Sequence, residues 1–140
     1  MKARGVEGLN PEAPLRGNAV SILGTRLDEL RSFVDRALEP GAVDAQHDMR
    51  IAAKRLRYVL EITGFCFGVE AEAARDAART LQSVLGDIRD CDAMLPRAQG
   101  IDSLTSLLHA RRELLLRRFI ELWEKQAREG VWTDLERALR

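Results

Sequence analysis

Apolar side chains recur at intervals of three and four residues in four successive stretches of this chain, and this periodicity constrains the fold more than any other feature. The stretches cover residues 20–38, 49–63, 77–95 and 104–123. Each is long enough for a helix of several turns, so the pattern predicts an all-α fold. Prolines and glycines separate the stretches, at Pro40-Gly41, Gly64 and Gly68, Pro96 to Gly100, and Gly130.

Short connections between long helices favour an antiparallel four-helix bundle. A capping-box pattern, Thr133-Asp-Leu-Glu136, follows the last break and predicts a short C-terminal helix. Asp44 is placed to cap the second helix. Residues 1–13 carry few apolar side chains and are expected to form a loose N-terminal segment, which leaves 14–140 as a single helical domain.

The sequence also bears on the compartment. Residues 1–13 lack the apolar core of a secretory signal, and no stretch approaches the roughly 20 apolar residues that cross a bilayer. The two cysteines, Cys66 and Cys91, lie in apolar surroundings without the spacing of a metal site. We therefore expect buried, reduced thiols and a cytoplasmic protein.

A histidine and several basic residues lie along one side of the second predicted helix. His47, Arg50, Lys54 and Arg57 follow one another at intervals of three and four residues, which stacks one side chain per turn, about every 5 Å. This sector adjoins the apolar face and is expected at the edge of a groove, whereas Arg55 points away from it. Arginine forks and lysine ammonium groups both bind phosphate, so the sector predicts an anion-binding surface.

The charge of the whole chain is neutral, with 22 basic and 22 acidic residues, which argues against a general nucleic-acid or membrane-surface binder. The charge is nevertheless segregated. Residues 47–58 hold four basic side chains and one acidic one, a net +3, and residues 108–118 hold the same numbers. An anion site must come from these local concentrations.

The fourth predicted helix has an arginine inside its apolar stripe. An inward-facing Arg112 needs a partner, and Asp92 falls inside the apolar stripe of the third helix. A buried ion pair between them is one interpretation. The other is that Arg112, with His109 one turn before it, lines the same groove as the basic sector of the second helix. The two interpretations are compatible.

Other functions find less support. A basic helical face is most often only a solvated face. No histidine pair stands at metal-ligand spacing, and no nucleophile with a base is recognisable, so we expect neither metal nor cofactor nor catalysis. A histidine on a helical bundle is also found in phosphotransfer modules, but Ile51 and Ala52 stand where those carry small Gly or Ser residues.

Two motifs resemble those of a known family, the CHAD domain, or conserved histidine α-helical domain. The first is His47-Asp-Met-Arg-Ile-Ala-Ala-Lys-Arg-Leu-Arg-Tyr-Val-Leu-Glu61, and the second, about 20 residues later, is Leu81-Gln-Ser-Val-Leu-Gly-Asp-Ile-Arg-Asp-Cys-Asp92. Their order and spacing carry the resemblance. The first and fourth helices fit the family more loosely.

The resemblance implies a non-enzymatic helical protein that binds inorganic polyphosphate, or a similar polyanion, in a basic groove. It also implies a link to polyphosphate- or triphosphate-processing proteins, because the family occurs alone or fused to triphosphate-processing domains. Asp90 and Asp92 match acidic positions with a pairing role. The implied binding residues are His47, Arg50, Lys54, Arg55 and Arg57, and by a looser transfer His109 and Arg112.

Typical family members contain two four-helix halves, whereas this sequence carries one histidine helix of that kind. The resemblance therefore suggests a homodimer, in which a two-fold axis replaces the internal pseudo-symmetry. The alternative function is a helical scaffold whose basic stripe docks an acidic partner protein.

Overall fold

The computed structural model describes residues 2–140, and these residues form five α-helices and no strand. The all-α class and the short C-terminal helix are confirmed. Short 3-10 turns at Gly64–Cys66 and Leu95–Ala98 follow the second and third helices. The helices are α1 (Leu15–Ala37), α2 (Val43–Thr63), α3 (Val69–Met94), α4 (Asp102–Glu129) and α5 (Val131–Ala138).

Two capping predictions are wrong, although the helices themselves form. Ala42 occupies the N-cap of α2, and Asp44 lies inside its first turn without a side-chain cap hydrogen bond. Asp44 still suits that place, because a carboxylate interacts favourably with the positive end of a helix. Thr133 lies inside α5, whose N-cap is Gly130. Gly130 has φ +72°, and its left-handed backbone ends α4 and redirects the chain into α5.

The core is centred on α2, which packs against α1 on one side and α3 on the other. Its buried face carries Met49, Ala52, Ala53 and Leu56, all fully buried. Alanines on the facing helices, such as Ala74 and Ala78 of α3, are fully buried too. Small side chains at a helix contact bring the two axes close together, so the side chains at the edges of α2 lie close to α3 as well.

The fourth and fifth helices complete the core from the side of α3. Both pack against α3, and α5 also reaches α1, where Arg16 donates a hydrogen bond to the Ala138 carbonyl. Trp123 and Trp132 stack with ring centroids 6.1 Å apart where α4 meets α5. Within residues 2–140, α1 and α4 make no extensive contact. The antiparallel four-helix arrangement is therefore not confirmed, whereas the all-α architecture is.

The N-terminal segment forms no helix or strand, but it is attached to α1. The buried carboxylate of Glu29 accepts a hydrogen bond from the Arg4 backbone N–H at 2.8 Å, and Arg26 donates to the Arg4 carbonyl. Asn10 and Asn18 exchange two further hydrogen bonds. Four polar contacts thus fix the path of a segment whose sequence predicts only a loose lead-in. Met1, which belongs to that prediction, lies outside the described residues.

In the described part of the chain, no helix combines the length and the apolar character that crossing a membrane requires.

Candidate anion-binding groove

The basic residues of α2 lie at the border between its buried face and solvent. Because α1 and α3 cover the apolar face of α2, side chains next to that face are half-buried rather than fully exposed. His47, Arg50, Lys54 and Arg57 are all in this class. Within this half-buried set, the Nε atoms of Arg50 and Arg57 and the Nδ1 atom of His47 are buried.

A groove of about 350 Å³ runs between α2 and α3 beside these residues. Guanidinium groups from both helices line it, together with amide, hydroxyl and carboxylate groups of α3. The lining residues are Arg50, Arg57, Arg79, Gln82, Ser83, Gly86, Asp87 and Asp90. The groove therefore contains three cationic forks and two carboxylates, and its net charge is positive.

Arg50 extends toward α3 at the position of Gly86. A Cβ on Gly86 would lie 3.4 Å from Arg50 Nε, so a larger side chain there would compete with the guanidinium for space. The Nε atom is buried and makes no hydrogen bond within the described residues. A buried donor without a partner costs about 1–3 kcal/mol, and a ligand oxygen that reached it would remove that cost.

Arg57 and Lys54 share an aromatic neighbour. The Arg57 guanidinium lies 4.7 Å from the centroid of the Tyr58 ring, and Lys54 Nζ lies 5.7 Å from it. Such cation–π contacts are worth about 0.5–1 kcal/mol each at exposed sites. Two positive charges thus lie against one aromatic ring beside the groove.

His47 lies at the N-terminal end of the row of basic residues on α2. Burial lowers the pKa of its imidazole below 6.5, and the positive charges of Arg89 and Arg50 lower that pKa further. Its Nδ1 atom is buried and has no hydrogen-bond partner within the described residues. An anion bound nearby would offset the arginine charges and favour the protonated ring, and in that case anion binding and proton uptake would be coupled at His47.

Arg55 points to the opposite side of α2. Its Nη1 atom lies 3.2 Å from Oε1 of Glu29, the buried carboxylate of α1. Arg26 contacts the other oxygen of that carboxylate at 2.9 Å. Its ion pair with Glu29 places Arg55 in the α1–α2 contact. Arg50 and Arg57 are the two predicted residues that line the groove, and His47 and Lys54 flank it on α2 without lining it.

Arg112 forms the buried ion pair that the apolar stripes predict. Its Nε and Nη2 atoms donate to the two carboxylate oxygens of Asp92, and Nη2 also donates to the side-chain oxygen of Gln46. His109 and Arg112 line a separate cavity of about 370 Å³, with walls that include Val43. This cavity and the α2–α3 groove have no lining residue in common. The structure therefore does not bring His109 and Arg112 into the groove.

Two basic residues of α3 were not predicted from the sequence. Arg79 lines the groove opposite Arg57, and Arg89, which does not line it, acts on His47 through its charge. The signal was present, because Arg79, Gln82 and Gly86 follow one another at intervals of three and four residues. The sequence alone does not show that this face of α3 lies against the basic side of α2.

The described residues contain no group of three or more His, Cys, Asp or Glu side chains that could hold a metal ion. Both cysteines are free thiols. Cys91 is buried, and burial raises the pKa of its thiol, which keeps it in the unreactive protonated form. Cys66 is only half-buried, so the prediction that both thiols are buried is wrong for Cys66.

Comparison with known proteins agrees with this geometry. The family model for the CHAD domain matches residues 3–99, which contain α1, α2 and α3 and both sides of the groove. The chain belongs to the CHAD domain family.

Two curated relatives come from Mycobacterium tuberculosis, the uncharacterised proteins MT2285 of strain CDC 1551 / Oshkosh and Rv2226 of strain ATCC 25618 / H37Rv. Each is 34% identical over 107 residues, which is 75% of this chain and 20% of the relative. The chain thus spans about a fifth of the length of these relatives. No solved structure matches.

Proposed function

We propose that this CHAD domain binds inorganic polyphosphate, or a similar polyanion, in the groove between α2 and α3. One observation carries the proposal: guanidinium groups from two helices converge on the groove, and the buried Nε donors of Arg50 and Arg57 have no hydrogen-bond partner. Phosphate oxygens are acceptors of the charge and geometry that such donors require. Family membership supports the same ligand class, because CHAD domains are associated with polyphosphate binding.

The spacing of the cations favours a chain of phosphates over a single ion. Arg50 and Arg57 are seven residues apart, about 10 Å along the helix axis, and Lys54 lies between them. A linear polyanion can contact all three at once, whereas one phosphate group reaches one or two. Because the side chains are only half-buried, each contact is modest, and affinity comes from their sum and decreases steeply with salt.

The remaining predicted residues have three roles in this proposal. His47 contacts the anion directly and takes up a proton as it binds. Arg55 links α2 to α1 through Glu29, Arg112 links α4 to α3 through Asp92 and to α2 through Gln46, and His109 remains a candidate for a distal contact. We propose a binding protein rather than an enzyme, located in the cytoplasm, with polyphosphate- or triphosphate-processing proteins as functional partners.

We further propose that two copies associate, and that each domain corresponds to one four-helix half of the family. This proposal rests on the resemblance to family members with two halves, because the sequence carries one histidine helix of that kind. A homodimer would bring two basic grooves together. Multi-angle light scattering at micromolar concentration should give twice the monomer mass, and a monomer mass throughout would contradict the association.

The binding proposal is tested by titration with purified polyphosphate of defined length. Arg50→Glu should weaken binding by more than tenfold, because one contact is lost and a repulsive charge is introduced beside the polyanion. Arg118→Glu is the matched control, with the same change of charge at an exposed position of α4 outside the groove. Equal affinities of the Arg50→Glu variant and the wild-type protein, or affinity insensitive to salt, would contradict the proposal.

A second candidate function, docking of an acidic partner protein, is favoured by one specific observation. Ile62, Phe65 and Val69 are 71%, 77% and 72% exposed around the turn between α2 and α3. Apolar side chains beside a basic groove suit a protein partner. A basic surface that docks an acidic protein would also bind polyphosphate, so the apolar cluster separates the two functions. Phe65→Ser should leave the affinity for polyphosphate unchanged and weaken only the docking of a protein partner.

A further inference from the structure

Arg57 of α2 and Arg79 of α3 face each other across the groove, and both contact the same carboxylate oxygen. Oε1 of Glu61 lies 3.5 Å from Arg79 Nη2 and 3.8 Å from Arg57 Nε. Glu61 belongs to α2, one turn beyond Arg57. An acidic side chain of the domain itself thus bridges two arginines that line the basic groove.

This bridge leaves the arginines incompletely satisfied. The distance of 3.8 Å is too long for a hydrogen bond, and Arg57 Nε is buried without a hydrogen-bond partner. The contact with Arg79 is at the limit of hydrogen-bond length. The Glu61 side chain is 38% exposed, so water weakens both attractions. A phosphate group has more oxygens and an equal or larger charge, and could reach both forks at shorter distances.

Resting on the proposed function, we propose that Arg57 and Arg79 form a clamp for one phosphate group of the polyanion, and that Glu61 occupies this clamp in the free protein as an internal competitor. The incoming phosphate displaces the carboxylate from both arginines. Glu61 therefore lowers the affinity for every anion, and a weak monovalent anion gains too little from the clamp to displace it. Glu61 thus sets a minimum binding strength, which a chain of phosphates exceeds through its several contacts.

Exposed ion pairs of this kind contribute little individually. Loss of the two pairs with Glu61 corresponds to a gain in polyphosphate affinity of about two- to thirtyfold. Loss of Arg79 should weaken binding and reduce the slope of log affinity against log salt by about 1, as for any single phosphate contact.

The test uses the full chain, with Glu61→Gln, Arg79→Gln and the double variant titrated with polyphosphate of defined length over a range of salt. Matched controls lie nearby on α3, where Arg75 lies 3.8 Å from Glu72. Glu72→Gln and Arg75→Gln make the same changes of charge outside the clamp. We expect tighter binding only for Glu61→Gln, weaker binding only for Arg79→Gln, and a smaller effect of Glu61→Gln when Arg79 is absent.

The outcomes separate this proposal from the proposed function. If the wild-type protein binds polyphosphate and Glu61→Gln binds it with the same affinity, the role of Glu61 as a competitor is refuted. The same holds if Glu72→Gln gains as much affinity as Glu61→Gln. Neither result contradicts polyphosphate binding in the groove. An unchanged affinity and salt slope in Arg79→Gln overturns the clamp. Binding by Glu61→Gln alone supports the competitor, and absence of binding in both the wild-type protein and Glu61→Gln overturns both proposals.

Discussion

The Asp92–Arg112 pair offers the sharpest separation between a structural and a ligand-binding role. The two side chains are 10% and 11% exposed, and Arg112 Nη2 lies 3.2 Å from Asp92 Oδ2. Breaking a buried pair by removing one partner costs about 3–5 kcal/mol, since the other charge remains buried. A tenth of each side chain still reaches water, so we expect Asp92→Ala to lower the free energy of unfolding by about 3 kcal/mol.

The assay is urea denaturation followed by far-UV circular dichroism. Asp76→Ala is the control, because Asp76 forms an exposed ion pair with Arg75 at 3.3 Å. That variant should lose about 0–1 kcal/mol. Replacing both buried partners, as Asp92→Leu with Arg112→Met, should restore part of the loss, because no buried charge is left unpaired but the Gln46 side-chain oxygen loses its donor.

The same variants decide the role of Arg112. The Asp92→Leu, Arg112→Met double variant should bind polyphosphate as the wild-type protein does, because this pair lies outside the groove. A loss below about 1 kcal/mol in Asp92→Ala would refute the energetic reasoning. A fall in polyphosphate affinity as large as that of Arg50→Glu would show that Arg112 contacts the ligand.

Four further outcomes follow from the groove and the core. Affinity for polyphosphate should rise as the pH falls toward the lowered pKa of His47, because the bound anion favours the protonated ring, and His47→Gln should flatten this dependence in titrations at several pH values. In the free protein the His47 pKa is lowered relative to the unfolded chain, where it is about 6.5. The contribution of His47 to folding stability is therefore complete above the unfolded pKa and decreases as the pH falls from there to the folded pKa. Urea unfolding of the wild-type protein and of His47→Gln at several pH values measures this decrease. Gly86→Leu should reduce polyphosphate affinity in titrations by crowding Arg50, with the helical signal retained. Leu56→Ala, at a fully buried position of α2, should cost about 2–5 kcal/mol in urea unfolding, and a cost near zero would contradict the assigned core.

The features that could be predicted from the sequence are mainly those that depend on the side-chain pattern of a single helix. Periodicity of three and four residues identifies the buried face of each helix, so it placed Leu56 in the core and Arg50 at its border. The same reasoning paired Asp92 with Arg112, because each interrupts an apolar stripe and each needs a partner.

Information that depends on the relation between helices could not be read in this way. Arg79 enters the groove only because α3 turns that face toward α2, and periodicity does not say which helices are neighbours. Glu29, the partner of Arg55, lies 26 residues away on α1. The two capping predictions were wrong for a local reason. Ala42 and Gly130, the N-cap residues of α2 and α5, begin their helices without a side-chain cap hydrogen bond.

A crystal structure of the domain with a short polyphosphate of defined length would show directly whether the α2–α3 groove is the binding site. We expect consecutive phosphate groups along α2, with oxygens within hydrogen-bond distance of Arg50 Nε and of the guanidinium groups of Arg57 and Arg79, and with Glu61 displaced from both. Polyphosphate bound instead along the basic face of α4, at Arg111 and Arg118, with the α2–α3 groove lacking phosphate, would contradict this expectation.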